Sequence, residues 1–363
     1  MHKLPKTMSG VLLTGHGGLD KLEYRTDLPV PEIGDDGVLV KMEAAGVNNT
    51  DINTRIGWYS KTVETSTNAS GNDDADMSRV VADAAWNGEA LVFPRIQGID
   101  CYGEIVALGK NVPAKRLGDK VLIRSIMLSP VNYRPYECYC LGSECDGGFA
   151  EYVSVPAAES FTVDSDLSPI ELGAIPCAFS TAEGMLERAG VAAGDRVLVT
   201  GASGGVGSAA VQLAKLRGAH VSAVGSRSKL EAMKVLGADA LIARQDDLLD
   251  VCGRDAFSVI IDLVGGENFQ HYADLLSRGG RYTVSGAIAG PIVNFDLRSF
   301  YLKDLSFYGS TAQSDKVFHN LIGYIKERRI KPIIAASYKL SQIHAAQEKF
   351  LAKDFIGKIV LTP

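Results

Sequence analysis

A chain of 363 residues is too long for one ordinary hydrophobic core and suits two domains. With 46% hydrophobic and 22% charged residues it has the balance of a soluble globular protein. A formal net charge of −6, with no basic cluster beyond short groups such as Lys326-Glu327-Arg328-Arg329, excludes nucleic acid as an expected main partner, and the lack of a long apolar run or signal-peptide core after Met1 excludes a membrane and makes the cytoplasm the expected compartment.

The N-terminal part reads as short β-strands. Gly37 to Ala45, Gly103 to Gly109 and Asp119 to Arg124 are apolar runs punctuated by glycine and proline, the pattern of a barrel-like antiparallel unit. Between the first two, Lys61 to Ala90 is a polar surface excursion, notably Ser66 to Asp74. It reads as a plain loop insertion, with a lid or a subunit contact as the sharper alternative. Cys138, Cys140 and Cys145 invite a zinc reading but lack C-x2-C pairs. Together with Cys101, Cys177 and Cys252 they are expected to be thiols.

From Phe161 the pattern changes to alternating strands and helices. Ser168-Pro169-Ile170-Glu171 is a capping box that starts a helix. Arg196-Val197-Leu198-Val199 reads as a buried strand. Thr200-Gly201-Ala202-Ser203-Gly204-Gly205-Val206-Gly207 follows it and opens into the helical pattern Ser208 to Lys215. A second strand, His220 to Val224, comes next. Strand, glycine turn and helix is the arrangement that binds a dinucleotide. The backbone comes close to the pyrophosphate, and the helix start offers it unpaired N–H groups. Lys229 to Leu236 reads as a helix. Ala240 to Ile242, Phe257 to Asp262 and Gly280 to Gly286 read as strands of one doubly wound parallel sheet. After about Phe300 the rhythm breaks. Helices over Lys316–Arg329 and within Leu340–Ala352 lead to a terminal strand at Lys358 to Leu361, and this tail is expected to return to the N-terminal unit.

Several segments, nearly end to end and in order, carry a family resemblance: Gly46 to Asp51, Gly98 to Gly103, Asp146 to Val153, the glycine loop, Leu236 to Asp239 and Phe355 to Leu361. The chain resembles the zinc-independent, quinone-oxidoreductase-like branch of the medium-chain dehydrogenase/reductase superfamily. The resemblance implies an α/β protein with a GroES-like β-barrel domain, residues 1–160 completed by 301–363, and a Rossmann doubly wound parallel-sheet domain, residues 161–300. It also implies an active site where the two domains meet and a homodimer.

Zinc-dependent relatives hold their ion with a cysteine, a histidine and a second cysteine. Here these positions fall on Asn48, Ile99 and Cys177. One thiolate, an amide and an isoleucine make no zinc site, so no metal is expected, with an oxygen from Asp100 as the one route to a zinc site, and Cys177 reads as a small packed thiol beside the nicotinamide. Without zinc to acidify a hydroxyl, reduction of an already polarised acceptor is the easier chemistry. A conjugated enone, enal or quinone takes hydride at carbon and spreads the charge onto oxygen.

An acid at the end of the second Rossmann strand would select NAD. Here glycine takes that place, and Ser226, Arg227 and Lys229 offer a hydroxyl and two cations to a 2′-phosphate, which points to NADP(H) as the cofactor. The resemblance places Thr181, the loop residues Ala202, Ser203, Gly204, Gly205, Val206 and Gly207, and Ser285, Gly286 and Ala287 at the cofactor. Lys358 either reaches the cofactor or is a surface lysine beside a strand. Asn48 is the first candidate to touch the substrate. Tyr59 either donates its hydroxyl or walls the pocket, and Asp51 pins its own loop. The function expected is NADPH-dependent hydride transfer to a small-molecule enone, enal or quinone. A zinc-free carbonyl or alcohol oxidoreductase and a non-catalytic NADPH-binding protein are the alternatives.

Overall fold

The computed structural model describes residues 4–67 and 82–363, so positions 68–81 of the polar excursion lie outside the described residues. The chain divides into two compact units, one of Met1–Val63, Ser70–Cys177 and Ile322–Pro363, the other of Glu64–Ala69 and Ala178–Leu321.

The first unit is organised by its longest strand, Gly37–Val47. Its apolar positions face a buried core containing Val38, Val40, Met42 and Val47 with Ile105, Val121 and Leu361. The strand pairs antiparallel with Tyr102–Leu108, with Tyr152–Pro156 and with the terminal strand Lys358–Thr362. Lys120–Ile123 and Ser160–Thr162 extend one side of this sheet, and Ile334–Lys339 extends the other. The C-terminal segment therefore completes the N-terminal sheet. A three-stranded sheet of Leu22–Pro29, Thr7–Leu13 and Arg95–Ile96 packs nearby in the same unit.

The second unit is a six-stranded parallel sheet. Its spatial order is Ala240–Ala243, His220–Gly225, Arg196–Val199, Phe257–Asp262, Leu276–Val284, Ser306–Gly309. In order of sequence this is 3-2-1-4-5-6, the dinucleotide-binding order, whose direction reverses between Arg196–Val199 and Phe257–Asp262. Val197, Leu198 and Val199 are fully buried, each worth roughly 1.5–3 kcal/mol in apolar burial. The alternation continues past Phe300 for one strand, Ser306–Gly309, where the sequence pattern had lost it. Only four residues long and half-exposed at the sheet edge, that strand needs little apolar periodicity.

The excursion does not stay on the surface throughout. Ala84 and Ala85 return to the interior, because a short apolar run interrupts the polar stretch.

Candidate functional site

In the first unit, strand Gly37–Val47 runs into Asn48, which caps the helix Asn49–Arg55. The Asp51 carboxylate accepts from the Asn48 backbone N–H at 2.8 Å and from the Ile99 N–H at 3.1 Å, so it pins its own loop to the segment Ile99-Asp100. Burial pushes the Asp51 carboxyl up to about 7, and the neighbouring Asp100 charge adds to the rise.

The register Ile359↔Val47 brings the preceding residue, Lys358, to Asn48. Lys358 Nζ donates to Asn48 Oδ1 at 2.5 Å and to Asp100 Oδ2 at 2.9 Å. Asn48 Nδ2 donates to Asp100 Oδ2 at 2.8 Å and to the Gly46 carbonyl at 3.1 Å. The Cys177 backbone N–H donates to Asp100 Oδ1 at 2.5 Å. Lys358 is 3% exposed, so it is no surface lysine: a central strand carries it inward. Asp100, which the sequence offered only as a possible oxygen donor to a metal, gathers Asn48, Lys358 and Cys177 around one carboxylate. The Asn48 amide donors are spent within this cluster. The cationic donor here is the Lys358 ammonium, two of whose three N–H groups go to Asn48 and Asp100.

Cys177 opens the helix Pro176–Arg188 and packs with Ile99, Ile126 and Cys140, against which Trp86 and Cys138 lie. Tyr59 is half-buried, its ring centroid 4.8 Å from Trp86 and 5.8 Å from Trp58. Its hydroxyl meets the Thr50 and Asn53 side chains, and burial raises its pKa above the ordinary phenol value. Burial likewise pushes Cys138 up to about 11 and Cys145 up to about 12, and raises Cys101 and Cys140 well above the ordinary thiol value, so these sulfurs are neutral.

In the second unit the glycine loop leaves strand Arg196–Val199 at its carboxyl end. Helix Gly205–Leu216 starts with Gly204 as its cap and without a side-chain cap hydrogen bond, which leaves its first N–H groups for an anion. A Cβ on Gly207 would come 2.3 Å from the Gly201 carbonyl oxygen, so only glycine lets the helix start so close to the turn. Ala202 and Gly207 are buried; Ser203, Gly205 and Val206 are half-buried and Gly204 is exposed. These features fit the pyrophosphate of a dinucleotide. Asp262, at the end of the neighbouring strand, holds the loop in place. It accepts from Thr200 Oγ1 at 2.5 Å, Tyr282 Oη at 2.6 Å and the Val264 N–H at 3.0 Å. Its own carbonyl accepts from the Ser285 N–H at 3.3 Å, so the segment Ser285-Gly286-Ala287 emerges beside it. Thr181 is half-buried, next to Ser180, whose Oγ accepts from Gln313 Nε2 at 2.9 Å.

Strand His220–Gly225 ends where an acid would select NAD. A Cβ on Gly225 would lie 2.6 Å from Met233 Cε, so Met233 occupies the space that a larger residue would need. Ser226 Oγ lies 3.4 Å from Ser228 Oγ, Arg227 pairs with Asp246 at 2.9 Å, and Lys229 closes the short turn Arg227–Lys229. Arg244 was missed from sequence. The register Gly225↔Ala243 and its own N–H bonded to the Gly225 carbonyl at 2.8 Å bring this exposed arginine to the same strand end. A cation directly after the third strand was the signal available.

Two family models match the chain: the alcohol dehydrogenase GroES-like domain over residues 34–165 and the zinc-binding dehydrogenase over residues 205–327. An acryloyl-coenzyme A reductase of Metallosphaera sedula is 31% identical over 75% of this chain and 84% of its own length. The chain belongs to the medium-chain dehydrogenase/reductase superfamily. It is an oxidoreductase of that superfamily, whose members bind nicotinamide cofactors. A 2-methylene-furan-3-one reductase of Solanum lycopersicum is 28% identical over 99% of this chain and 80% of its own length. A solved Sinorhizobium meliloti 1021 protein, provisionally called an alcohol dehydrogenase, is 44% identical with a TM-score of 0.89, covering 100% of this chain and 98% of the other. Among the described residues no helix is long and apolar enough to cross a membrane.

The second family model carries zinc in its description, so the donor set matters. Asn48, Ile99 and Cys177 supply one sulfur and one amide whose groups are already bonded, and both Asp100 oxygens are engaged by Cys177, Asn48 and Lys358. The Lys358 ammonium already lies against the Asp100 carboxylate, and the Asp51 carboxylate is engaged by the Asn48 and Ile99 N–H groups. These residues do not fit a zinc ion.

Proposed function

We propose that the protein is an NADPH-dependent oxidoreductase that delivers hydride to a conjugated enone, enal or quinone without catalytic zinc. The observation that carries this reading is the Lys358–Asp100–Asn48 cluster, which sets a buried ammonium where a zinc donor set would be needed. A bound reduced nicotinamide would supply the hydride. The chain's own part is to hold the dinucleotide at the Gly204–Gly207 helix start and to keep Asn48, Lys358 and Cys177 fixed through Asp100. At the acceptor, a C–H bond forms at the electron-poor carbon, the π electrons move onto oxygen, and solvent returns one proton. An ammonium of the Lys358 kind favours that developing negative charge. We read Ser226, Arg227, Lys229 and Arg244 as the 2′-phosphate group of donors, Thr181 and Ser285-Gly286-Ala287 as lining the nicotinamide half, and Tyr59 as a pocket wall.

The reductases of Solanum lycopersicum and Metallosphaera sedula named above support an activated alkene as the acceptor. A second reading, a zinc-free carbonyl or alcohol oxidoreductase, is favoured by the Sinorhizobium meliloti likeness. A panel of enones, enals and quinones assayed with NADPH and with NADH tests the proposal. A saturated ketone as product supports the first reading, an alcohol supports the second, and no oxidation of either cofactor with any acceptor defeats both. We further propose a cytoplasmic homodimer that pairs along the Ser306–Gly309 edge, beside which Leu297, Tyr301 and Leu302 are exposed. Light scattering giving a monomer at assay concentration contradicts the dimer.

A further inference from the structure

Trp86 belongs to the polar excursion, yet its side chain packs against the Ile99, Ile126, Cys140 and Cys177 cluster. Its ring centroid lies 4.8 Å from that of Tyr59, the two planes at 52°. Its indole Nε1 is shut off from solvent and has no hydrogen-bond partner among the described residues. Indole nitrogen donates only, and native proteins rarely leave such a donor buried and unmet. The backbone around it is held firmly. Trp86 N–H reaches Ser143 Oγ at 3.5 Å, Asn87 N–H donates to Glu144 Oε1 at 3.0 Å, and Cys140 N–H donates to Glu144 Oε2 at 2.8 Å. One carboxylate thus clasps the Trp86 loop to the Cys140 loop. The floor that Trp86 covers is apolar, with a neutral Cys140 thiol.

We propose that Trp86 sets acceptor specificity: with Tyr59 it forms an aromatic wall over the Cys177–Ile99 floor that selects a planar aromatic acceptor, a quinone or aryl enone, and its indole N–H donates to the acceptor's carbonyl oxygen. Glu144 is the positioning residue that holds this wall in place. The inference rests on the proposed function for placing substrate at the Cys177–Ile99 floor. An aliphatic enone offers the same carbonyl but no ring to lie against the two aromatic faces, so the wall discriminates by stacking and the N–H by orientation.

The test uses the full-length protein and 9,10-phenanthrenequinone. The W86F variant keeps a ring and loses the donor, and the W86A variant loses both. W86F is expected to raise KM for the quinone about tenfold, the loss of one buried hydrogen bond, with kcat and the NADPH KM held within about twofold. W86A is expected to lower, in addition, the preference for 4-phenyl-3-buten-2-one over 3-penten-2-one. An unchanged quinone KM in both variants overturns the proposal. A binding measurement separates this failure from failure of the proposed function. The chain has two tryptophans. In a W58F variant Trp86 is therefore the sole indole emitter, and the quinone alone is expected to quench it saturably, even if no acceptor is turned over. Quenching that never saturates overturns the site.

Discussion

Lys358 Nζ sits 2.9 Å from Asp100 Oδ2, with the two side chains 4% and 0% exposed. Removing either partner leaves a buried charge alone, which costs about 3–5 kcal/mol. K358M and D100N are each expected to destabilise the protein by that order in urea unfolding, and the double variant by clearly less than the sum of the two. Additive losses in this cycle contradict a coupled pair.

Asp51 gives a pH signature. Its folded pKa, about 7, lies above the value of 3.8 for an unperturbed group, because burial disfavours the carboxylate. A raised acid binds its proton more tightly in the folded state, so its contribution is complete below the unfolded pKa and fades as pH rises through the folded one. The melting-temperature advantage of the parent over D51N is therefore expected to narrow between about pH 5 and about pH 8. Widening over that interval contradicts the assignment.

Gly207 is fixed by contact. A methyl group there meets the Gly201 carbonyl oxygen and the Ala202 Cα, both of them backbone atoms that cannot swing aside. The G207A variant is expected to lose measurable dinucleotide binding by calorimetry and to melt lower, whereas G34A, where a Cβ meets nothing within 4 Å, leaves both unchanged. Normal binding by G207A contradicts the placement of the pyrophosphate at this helix start.

The cations at the end of strand His220–Gly225 predict a difference between the two cofactors. R244A is expected to weaken NADPH binding about five- to tenfold and to leave NADH binding alone, since only the former carries the 2′-phosphate. Asp246 competes for Arg227 through an exposed ion pair, worth ~0.2–1 kcal/mol. D246N is therefore expected to tighten NADPH about two- to fivefold, an effect that added salt removes. Equal changes for both cofactors contradict the assignment.

Local signals told most about this chain. The Ser168 capping box forms as read, with Glu171 N–H on Ser168 Oγ and Ser168 N–H on Glu171 Oε2. The glycine loop lies between a strand and a helix because both have strong apolar periodicity. The terminal strand was legible, but its partner was not. Lys358 and Asn48 are 310 residues apart, and only the pairing register brings them together. The placing of Asp262 and Arg244 was hidden for the same reason, since each acts at a strand end whose neighbours are set by sheet order, although for Arg244 a cation directly after the third strand was a signal. Trp86 was hidden inside a polar stretch, where no period marks a buried side chain.

The central claim is hydride delivery by NADPH without a metal, and the most direct test is turnover of protein stripped by exhaustive dialysis against a chelator. With 9,10-phenanthrenequinone and with 4-phenyl-3-buten-2-one, the stripped protein is expected to oxidise NADPH as fast as the undialysed protein and faster than it oxidises NADH, and to give a saturated ketone from the enone. Activity that vanishes on stripping and returns with stoichiometric zinc would contradict the account.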